Sequence, residues 1–204
     1  GYTAQTGPSI SAPVRRTLQS KLDDVVSIRD YGAVGDGSTN DLAAINRALY
    51  DIFCRYPNSS LSRRTLYFPA GVYNISGGVI KIPTYASIVG DGAEKTVFSQ
   101  VDNTQECVAT TADSMQQIDS NLGQNGATLP QAISISGCSF KNISGRVATD
   151  NEYVFKLRNV NGVVFNEVAF FGSLAFPNVA LTDVASCIMV ETTLPLQSQN
   201  ISFN

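Results

Sequence analysis

The sequence predicts an all-β protein in which short parallel strands coil into a β-helix, preceded by one capping α-helix. Three observations carry this prediction. Apolar residues alternate with a period of two from Arg64 onward, Gly, Pro or Asn interrupts nearly every such run, and one apolar spacing recurs about thirty residues apart. A single amphipathic, helix-like segment precedes the first of these runs.

Length and composition bound the class of protein. The chain has 204 residues, 43% of them hydrophobic and 15% charged, which suits one folded domain with many turns. The net charge of −3 leaves no basic surplus for phosphates, which argues against nucleic acid and anionic membrane surfaces as partners. Apolar runs are too short to cross a bilayer, and no charged-then-apolar leader opens the chain, so no membrane insertion is expected.

The histidine and cysteine content limits the catalytic and metal-binding sites that this segment can form. The absence of His excludes Ser-His-Asp and Cys-His catalysis, and imidazole-ligated zinc, within this segment. The cysteines form no C-x-x-C pair, so metal binding through them is not expected. Cys138 and Cys187 lie in apolar strand-like segments, where buried reduced thiols are favoured over a disulfide, in keeping with assembly in a cytosol. The four cysteines are Cys54, Cys107, Cys138 and Cys187.

The N-terminal part divides into a linker and the start of the solenoid. Residues 1–24 are small and polar with little periodicity and predict a neck or linker, whereas residues 25–204 predict the capping helix and first coils of the β-helix. A strand is predicted over residues 25–31, a turn-rich stretch over 32–37, and a helix from 40 to about 53. The predicted apolar face of that helix comprises Leu42, Ile45, Leu49 and Ile52.

The rest of the chain predicts strands and one long loop. The clearest early strands cover residues 66–68, 72–75, 79–82, 86–89 and 96–98. The polar stretch over residues 102–128 breaks the period and predicts a loop that leaves the solenoid, a place where function often lies.

One apolar spacing recurs along the second half of the chain. The first copy is Ile133, Ile135, Cys138 and Phe140; the second is Val163, Phe165, Val168 and Phe170; a partial third has Leu196, Ser198, Ile201 and Phe203. A coil cannot bury its apolar face alone, so coils stack and residues at the same offset lie over one another. This predicts one interior stack of Phe140, Phe170 and Phe203, and an asparagine ladder between Asn142 and Asn204.

The two ends of a solenoid expose backbone groups and need covering. The predicted helix lies where the N-terminal lid is needed. At the other end the sequence stops within a repeat copy, so we expect a fragment whose further C-terminal coils are missing.

Three stretches of the chain resemble a known superfamily. Residues 26–37, Val-Ser-Ile-Arg-Asp-Tyr-Gly-Ala-Val-Gly-Asp-Gly, followed by Asn40-Asp41 and Ala43-Ala44-Ile45, resemble the opening signature of the pectate-lyase-like β-helix superfamily. Residues 66–73 and 88–92 with Thr96 resemble its first coils. The resemblance spans about residues 25–98 and implies a right-handed parallel β-helix. Asn40 stands where an Asp is usual and Leu42 where a Thr is usual, which is expected to alter the hydrogen bonds of the cap but not the fold.

Residues 15–27 resemble the neck that joins the virion-anchoring part of phage tailspikes to their β-helix. This implies a homotrimer, attachment to virion tail or baseplate proteins through the N-terminal part, and a body that binds and often cleaves bacterial capsule or lipopolysaccharide glycans. It also implies a place in the phage tail after synthesis in the host cytoplasm. Two alternatives stay open: a secreted pectate-lyase-like or polygalacturonase-like enzyme, and a purely structural virion protein.

Catalytic residues are not assigned by the sequence. A glycosidase needs two carboxylates roughly 5 to 9.5 Å apart, which sequence spacing does not measure, so depolymerase activity is an open hypothesis. The polygalacturonase pattern of clustered Asp with a His and an Arg-x-Lys has no counterpart here. The candidate carboxylates on the coils are Asp150, Glu152, Glu167, Asp183 and Glu191.

The remaining candidates are surface groups and turns. If Phe155 and Leu157 point inward, alternation places Glu152, Lys156 and Arg158 on the outer face where a glycan would lie, although an ordinary solvated face is the commoner case. Asp36 and Asp91, each within Gly-Asp-Gly, are expected to bond nearby amides in structural turns rather than to hold a metal or phosphate. No cofactor or metal site is predicted.

Overall fold

The computed structural model describes residues 17–22, 24–54, 64–101, 108–111, 130–142, 153–171, 186–191 and 199–204. The helices are α1 (Leu18–Leu22) and α2 (Leu42–Leu49), with a 3₁₀ turn at Ile28–Tyr31 and a π-helical turn at Tyr50–Cys54. The first seven strands are β1 (Val25–Ser27), β2 (Asp36–Asn40), β3 (Thr65–Phe68), β4 (Gly71–Ile75), β5 (Ile80–Ile82), β6 (Ser87–Gly90) and β7 (Thr96–Gln100). The next six are β8 (Ala109–Thr111), β9 (Gln131–Asn142), β10 (Tyr153–Arg158), β11 (Asn161–Phe171), β12 (Ser186–Glu191) and β13 (Gln199–Phe203).

The strands pair in parallel and wind around three faces. The first face contains β1, β3, β6, the first half of β9, the first half of β11, and β13. The second contains β2, β4, β7 and the second halves of β9 and β11. The third contains β5, β8, β10 and β12. From β3 onward the chain visits the three faces in turn, and because crossovers between parallel strands are right-handed, these coils form a right-handed parallel β-helix.

The core lies inside the coils, where side chains at equivalent positions stack. On the first face Leu66, Ile88, Ile135 and Phe165 follow one another in register and are buried. On the second face the rings of Phe98 and Phe140 stack with centroids 5.0 Å apart, and those of Phe140 and Phe170 stack at 5.8 Å. On the third face Phe155 and Leu157 are fully buried. The apolar alternation therefore fills one continuous core.

The register confirms the first two repeat copies and contradicts the third. Ile133, Ile135, Cys138 and Phe140 pair with Val163, Phe165, Val168 and Phe170. Phe203, however, pairs with Phe165 rather than Phe170, and their rings stack at 5.1 Å. Ile201 and Phe203 are separated by one residue, a spacing that fits either half of β11, so local spacing could not choose between the two.

The predicted asparagine ladder is wrong for the same reason. Asn142 pairs with Gln100 on the second face. Asn204 follows Phe203, which lies beside Phe165 on the first face. The two asparagines therefore occupy different faces.

The N-terminal elements differ from prediction in their bounds. The strand expected over residues 25–31 ends at Ser27 and continues as a 3₁₀ turn, and Asn40 ends β2 instead of opening the helix. Helix α2 buries Ile45, Ala48 and Leu49 fully. The helix is thus confirmed from Leu42, and its role as the lid of the solenoid stays a prediction.

Two segments that were predicted to be a loop and a linker contain a strand and a helix. Strand β8 lies within the predicted loop over residues 102–128 and pairs with β5 and β10. Helix α1 lies within the predicted linker. A strand as short as Ala-Thr-Thr is stabilised by its neighbours in the sheet, which the local sequence does not reveal.

Candidate functional site

A row of cationic side chains crosses the third face. Lys81 and Lys156 both pair with Thr110, so the three residues follow one another on successive coils. Arg158 lies two residues after Lys156 and points to the same side. Their side chains are half-buried, whereas Phe155 and Leu157 are fully buried, which confirms the predicted alternation. We call Lys81, Thr110, Lys156 and Arg158 the cationic row.

The spacing of the cationic row follows from strand geometry. Neighbouring strands lie about 4.8 Å apart, so the Cα atoms of Lys81 and Lys156 are separated by about 10 Å across two strand spacings. Arg158 lies about 7 Å along the strand from Lys156. Sequence reasoning found Lys156 and Arg158 but missed Lys81, because only the strand register brings this distant residue into the row.

The buried hydroxyl of Thr111 forms hydrogen bonds with the backbone of β10, the strand that carries Lys156 and Arg158. The Arg158 backbone N–H donates to the Thr111 hydroxyl at 2.8 Å. The same hydroxyl lies 3.5 Å from the Lys156 carbonyl oxygen and 3.4 Å from that of Arg158, either of which can accept its proton. Thr111 is 2% exposed, so these bonds lie in the interior. They connect β8 to β10 beyond the backbone pairing of the two strands.

The Asn46 side chain on α2 forms hydrogen bonds with the backbone of β5, the strand that carries Lys81. The Asn46 side-chain nitrogen donates to the Val79 carbonyl oxygen at 3.1 Å, and its side-chain oxygen accepts from the Lys81 backbone N–H at 3.0 Å. A neighbouring parallel strand would use the same two backbone groups. The Asn46 amide therefore satisfies the free edge of β5 where the first coil contributes a helix instead of a strand.

The two Gly-Asp-Gly aspartates are structural, in different ways. The Asp36 carboxylate accepts from the backbone N–H groups of Ser38 at 2.8 Å and Thr39 at 2.7 Å. These bonds, the Thr39 one foremost, hold the pKa of Asp36 well below its usual range. Asp36 thus bonds nearby amides, as predicted.

Asp91 fastens one coil to the preceding one instead. Its carboxylate accepts from the Tyr67 hydroxyl and the Ala70 backbone N–H, both at 2.8 Å. The Tyr67 bond, followed by the Ala70 bond, lowers the pKa of Asp91, and the same interaction raises the pKa of Tyr67. Asp91 therefore accepts from a backbone amide, as predicted, but from one on the preceding coil, and its other partner is a hydroxyl.

The described residues include only part of the set of candidate carboxylates. Asp150, Glu152 and Asp183 lie outside the described residues. Glu167 is exposed at the bend between the first and second faces, whereas the Glu191 backbone pairs with Arg158 on the third face. The Glu191 side chain lies outside the described residues, so no pair of carboxylates is assigned.

Other chemical groups in the described part of the chain are few. Cys54 and Cys138 are buried free thiols, and burial raises the pKa of each to about 12. Cys107 and the Cys187 side chain lie outside the described residues. No cluster of three or more potential metal-ligating side chains occurs within the ranges given above. Across those same ranges, no helix has the length and apolar character needed to span a membrane.

The chain is similar to one protein family and to several known proteins. Residues 25–134 match the family described as "Rhamnogalacturonase A/epimerase, pectate lyase-like". Mannuronan C5-epimerase AlgE3 of Azotobacter vinelandii is 33% identical over 110 residues, which are 50% of this chain and 6% of that protein. The preneck appendage protein of Bacillus phage PZA is 28% identical over 185 residues, which are 86% of this chain and 19% of that protein.

The solved structure of the pre-mature bacteriophage phi29 gene product 12 has the same fold. It matches with a TM-score of 0.55 at 21% identity, over 86% of this chain and 21% of that one. This chain spans only a small part of each relative named above. Since the family match covers more than half of the 204 residues, the chain belongs to the pectate lyase-like family of rhamnogalacturonase A and epimerases.

Proposed function

We propose that this chain is part of a phage receptor-binding virion protein that binds polysaccharide on a bacterial surface and supports its depolymerisation. The observation that carries the proposal is the similarity to a phage preneck appendage protein over 86% of the chain. The same similarity supports a location in the phage virion. We also propose a place in the phage tail, synthesis in the host cytoplasm, and attachment to tail or baseplate proteins through the N-terminal part.

Exposed apolar groups on α1 support a homotrimer. Leu18 and Leu22 on α1 are 57% and 60% exposed and lie one helical turn apart, and Val25 at the start of β1 is 54% exposed. An isolated helix as short as the five residues of α1 is unstable in water without packing partners. The same segment of two further copies would supply those partners and cover the apolar side chains.

A secreted polysaccharide-modifying enzyme is the second candidate. It is favoured by the similarity to a mannuronan C5-epimerase over half of the chain. A purely structural virion protein is the third, and it differs from the first in making no glycan contact.

The test uses the full-length gene product. Light scattering gives its mass, and reducing-end release is measured from purified capsule or O-antigen. A trimer that releases sugar supports the whole proposal, and a trimer that binds without release removes only the depolymerase part. A monomer that acts on polysaccharide overturns the proposal in favour of the secreted enzyme, and a trimer without any glycan binding favours the structural protein.

A pair of variants tests the origin of the trimer. The double substitution Leu18→Glu and Leu22→Glu is expected to reduce the trimer mass to that of the monomer at micromolar concentration, because it places charges where apolar groups would pack. Gln19→Glu adds a charge to the same helix and is expected to leave the trimer intact. Equal behaviour of the two variants contradicts a contact through Leu18 and Leu22.

A further inference from the structure

We infer that the outward side of the first face is a subunit contact, which packs against the same face of further copies of this chain around a threefold axis. The inference rests on the homotrimer of the proposed function and adds the face through which the coils meet. The occupant of the face is therefore a second copy of the chain.

The outward side chains of the first face form two rows that cross six consecutive strands. The rows lie about 7 Å apart, and five strand spacings of about 4.8 Å give a length of about 24 Å. The side chains in both rows are exposed or half-buried. The first row comprises Val25, Thr65, Ser87, Ser134, Val164 and Ser202, and the second comprises Ser27, Tyr67, Val89, Ser136 and Asn166.

Neither row contains a charged residue, although the chain has 14 Lys and Arg and 17 Asp and Glu. Charged residues begin where the face ends: Asp24 precedes β1, and Asp91 and Glu167 lie at the bend to the second face. The centre of a protein interface is depleted of charged residues, whereas its rim is polar. An uncharged face can also meet a copy of itself without like-charge repulsion, which the face that carries the cationic row cannot.

Several hydroxyl groups of the first face have hydrogen-bond partners within the chain. The Thr65 and Ser87 hydroxyl oxygens lie 3.3 Å apart across neighbouring strands, and the Tyr67 hydroxyl donates to the Asp91 carboxylate at 2.8 Å. Removing water from groups that keep their hydrogen bonds costs little free energy. This pairing favours coverage by another protein surface over recognition of a hydroxyl-rich ligand.

The first face continues the contact proposed for α1. Leu22 on α1 lies three residues before Val25, which opens the first row and is 54% exposed. Val164, on the other side of the same row, is 37% exposed. When a threefold axis runs beside one face, each subunit turns that face toward it. The rows and the exposed leucines of α1 would then meet their copies around one common axis.

The experiment uses the full-length gene product, whose mass is followed by light scattering during dilution. Ser134→Glu with Val164→Glu adds two charges at exposed positions that pair on neighbouring strands of the first row. We expect the concentration at which the trimer dissociates to rise at least about tenfold, because the copies bring like charges together.

The matched control adds the same charge away from the first face. Ala43→Glu with Thr110→Glu alters an exposed position of α2 and a half-buried position of the third face. The dissociation concentration of this variant should stay within about twofold of wild type.

Opposite charges distinguish a subunit contact from a fault in folding. Ser134→Lys with Val164→Lys is expected to weaken the trimer as the Glu pair does. Co-expression of the Glu and Lys variants should lower the dissociation concentration at least about threefold relative to either variant alone, because unlike charges then meet between copies. Native mass spectrometry should find both variants in one trimer.

Two results overturn the inference and leave the proposed function standing. One is a Glu pair that dissociates no more readily than the control pair. The other is a co-expressed mixture that forms no trimers of mixed composition. A wild-type protein that is monomeric and acts on polysaccharide removes the proposed function itself, and the inference with it.

Discussion

At the bend between the first and second faces, the coils that carry β6 and β9 approach so closely that only glycine fits at residues 90 and 137. A Cβ atom on Gly137 would lie 2.6 Å from the carbonyl oxygen of Gly90, and one on Gly90 would clash with the carbonyl oxygen of Gly137. The Gly92 backbone N–H donates to that same Gly137 oxygen at 2.8 Å. These glycines therefore set the distance between the coils that carry β6 and β9.

We expect Gly137→Ala to cost more stability than Gly162→Ala. Both glycines have left-handed backbones, with φ of +62° and +77°, but a Cβ on Gly162 would meet nothing closer than 3.6 Å. Gly162→Ala should lower the free energy of unfolding by about 1 kcal/mol, the conformational cost alone. Gly137→Ala adds a backbone clash and should cost at least about 3 kcal/mol. Urea unfolding checks this, and equal losses would contradict the clash.

Hydrogen bonds to Asp36 should make stability depend on acidity. The pKa of Asp36 is lowered in the folded chain, so its carboxylate stabilises the fold above the unfolded pKa of about 3.9, and this contribution is lost as pH falls through the folded value. Asp36→Asn cannot titrate. The stability difference between wild type and variant, measured by thermal unfolding from pH 7 downward, should shrink below about pH 4. A constant difference would contradict this role.

At the scale of elements, side-chain amides connect the N-terminal segment to the second coil. The Asn40 nitrogen donates to the Ser76 carbonyl oxygen at 3.0 Å, and the Asn40 oxygen accepts from the Leu42 backbone N–H at 3.1 Å. An aspartate, usual at this position in the superfamily signature, could accept but not donate. The Asn40 oxygen also accepts from the Ser76 backbone N–H at 3.3 Å, which an aspartate could do as well. The departure from the signature therefore adds the bond to the Ser76 carbonyl oxygen, a detail that the sequence predicted only as altered capping.

Asp41 shows how a predicted cap residue acquires another role. Its carboxylate is 1% exposed and accepts from the backbone N–H groups of Val34 at 2.7 Å and Gly35 at 3.1 Å. It makes no side-chain bond to the helix that it precedes. Local sequence rules place Asp at helix starts, but here the turn over residues 32–37 folds back to use it.

Substitution of Asn46 should loosen α2 from β5. Asn46→Asp keeps the acceptor for the Lys81 backbone N–H but cannot donate to the Val79 carbonyl oxygen. A loss of about 2 kcal/mol in the free energy of unfolding is expected, because a half-buried carbonyl loses its partner and faces a negative charge. Ala43→Gln, at an exposed position of the same helix, is the control and should change stability by less than about 0.5 kcal/mol. Similar losses would show that the amide does not anchor the helix.

Across the whole molecule, aromatic packing connects coils and faces. Phe140 stacks on Phe98 and Phe170 within the second face and meets the edge of Phe155 from the third at 5.1 Å. Phe165 from the first face contacts both Phe155 and Phe170. Since the three faces share this cluster, damage to its centre should affect the whole solenoid.

We expect Phe140→Ala to lower the free energy of unfolding by about 4 kcal/mol, through lost burial and the cavity left behind. Phe171, on the next coil, is 50% exposed, and Phe171→Ala should cost less than about 1 kcal/mol. Calorimetry of the two variants provides the measurement. Comparable destabilisation would contradict Phe140 as the centre of the core.

The sequence by itself determined the class of fold, because inward and outward residues alternate wherever a strand has one buried face. The repeat copies beginning at Ile133 and Val163 gave the correct register for β9 and β11. The inward direction of Phe155, and with it the outward direction of Lys156, followed from the same alternation. These features depend on neighbours along the chain, so local patterns predict them.

Only the tertiary structure decided which coil positions meet. Phe203 pairs with Phe165, and Lys81 and Lys156 pair with Thr110 from opposite sides. Loops of unequal length between the strands set this register. The partners of Asp91 and Asn46 lie on other coils, far away in sequence. A two-residue period fits several registers equally well, and the choice among them belongs to the packing of the complete solenoid.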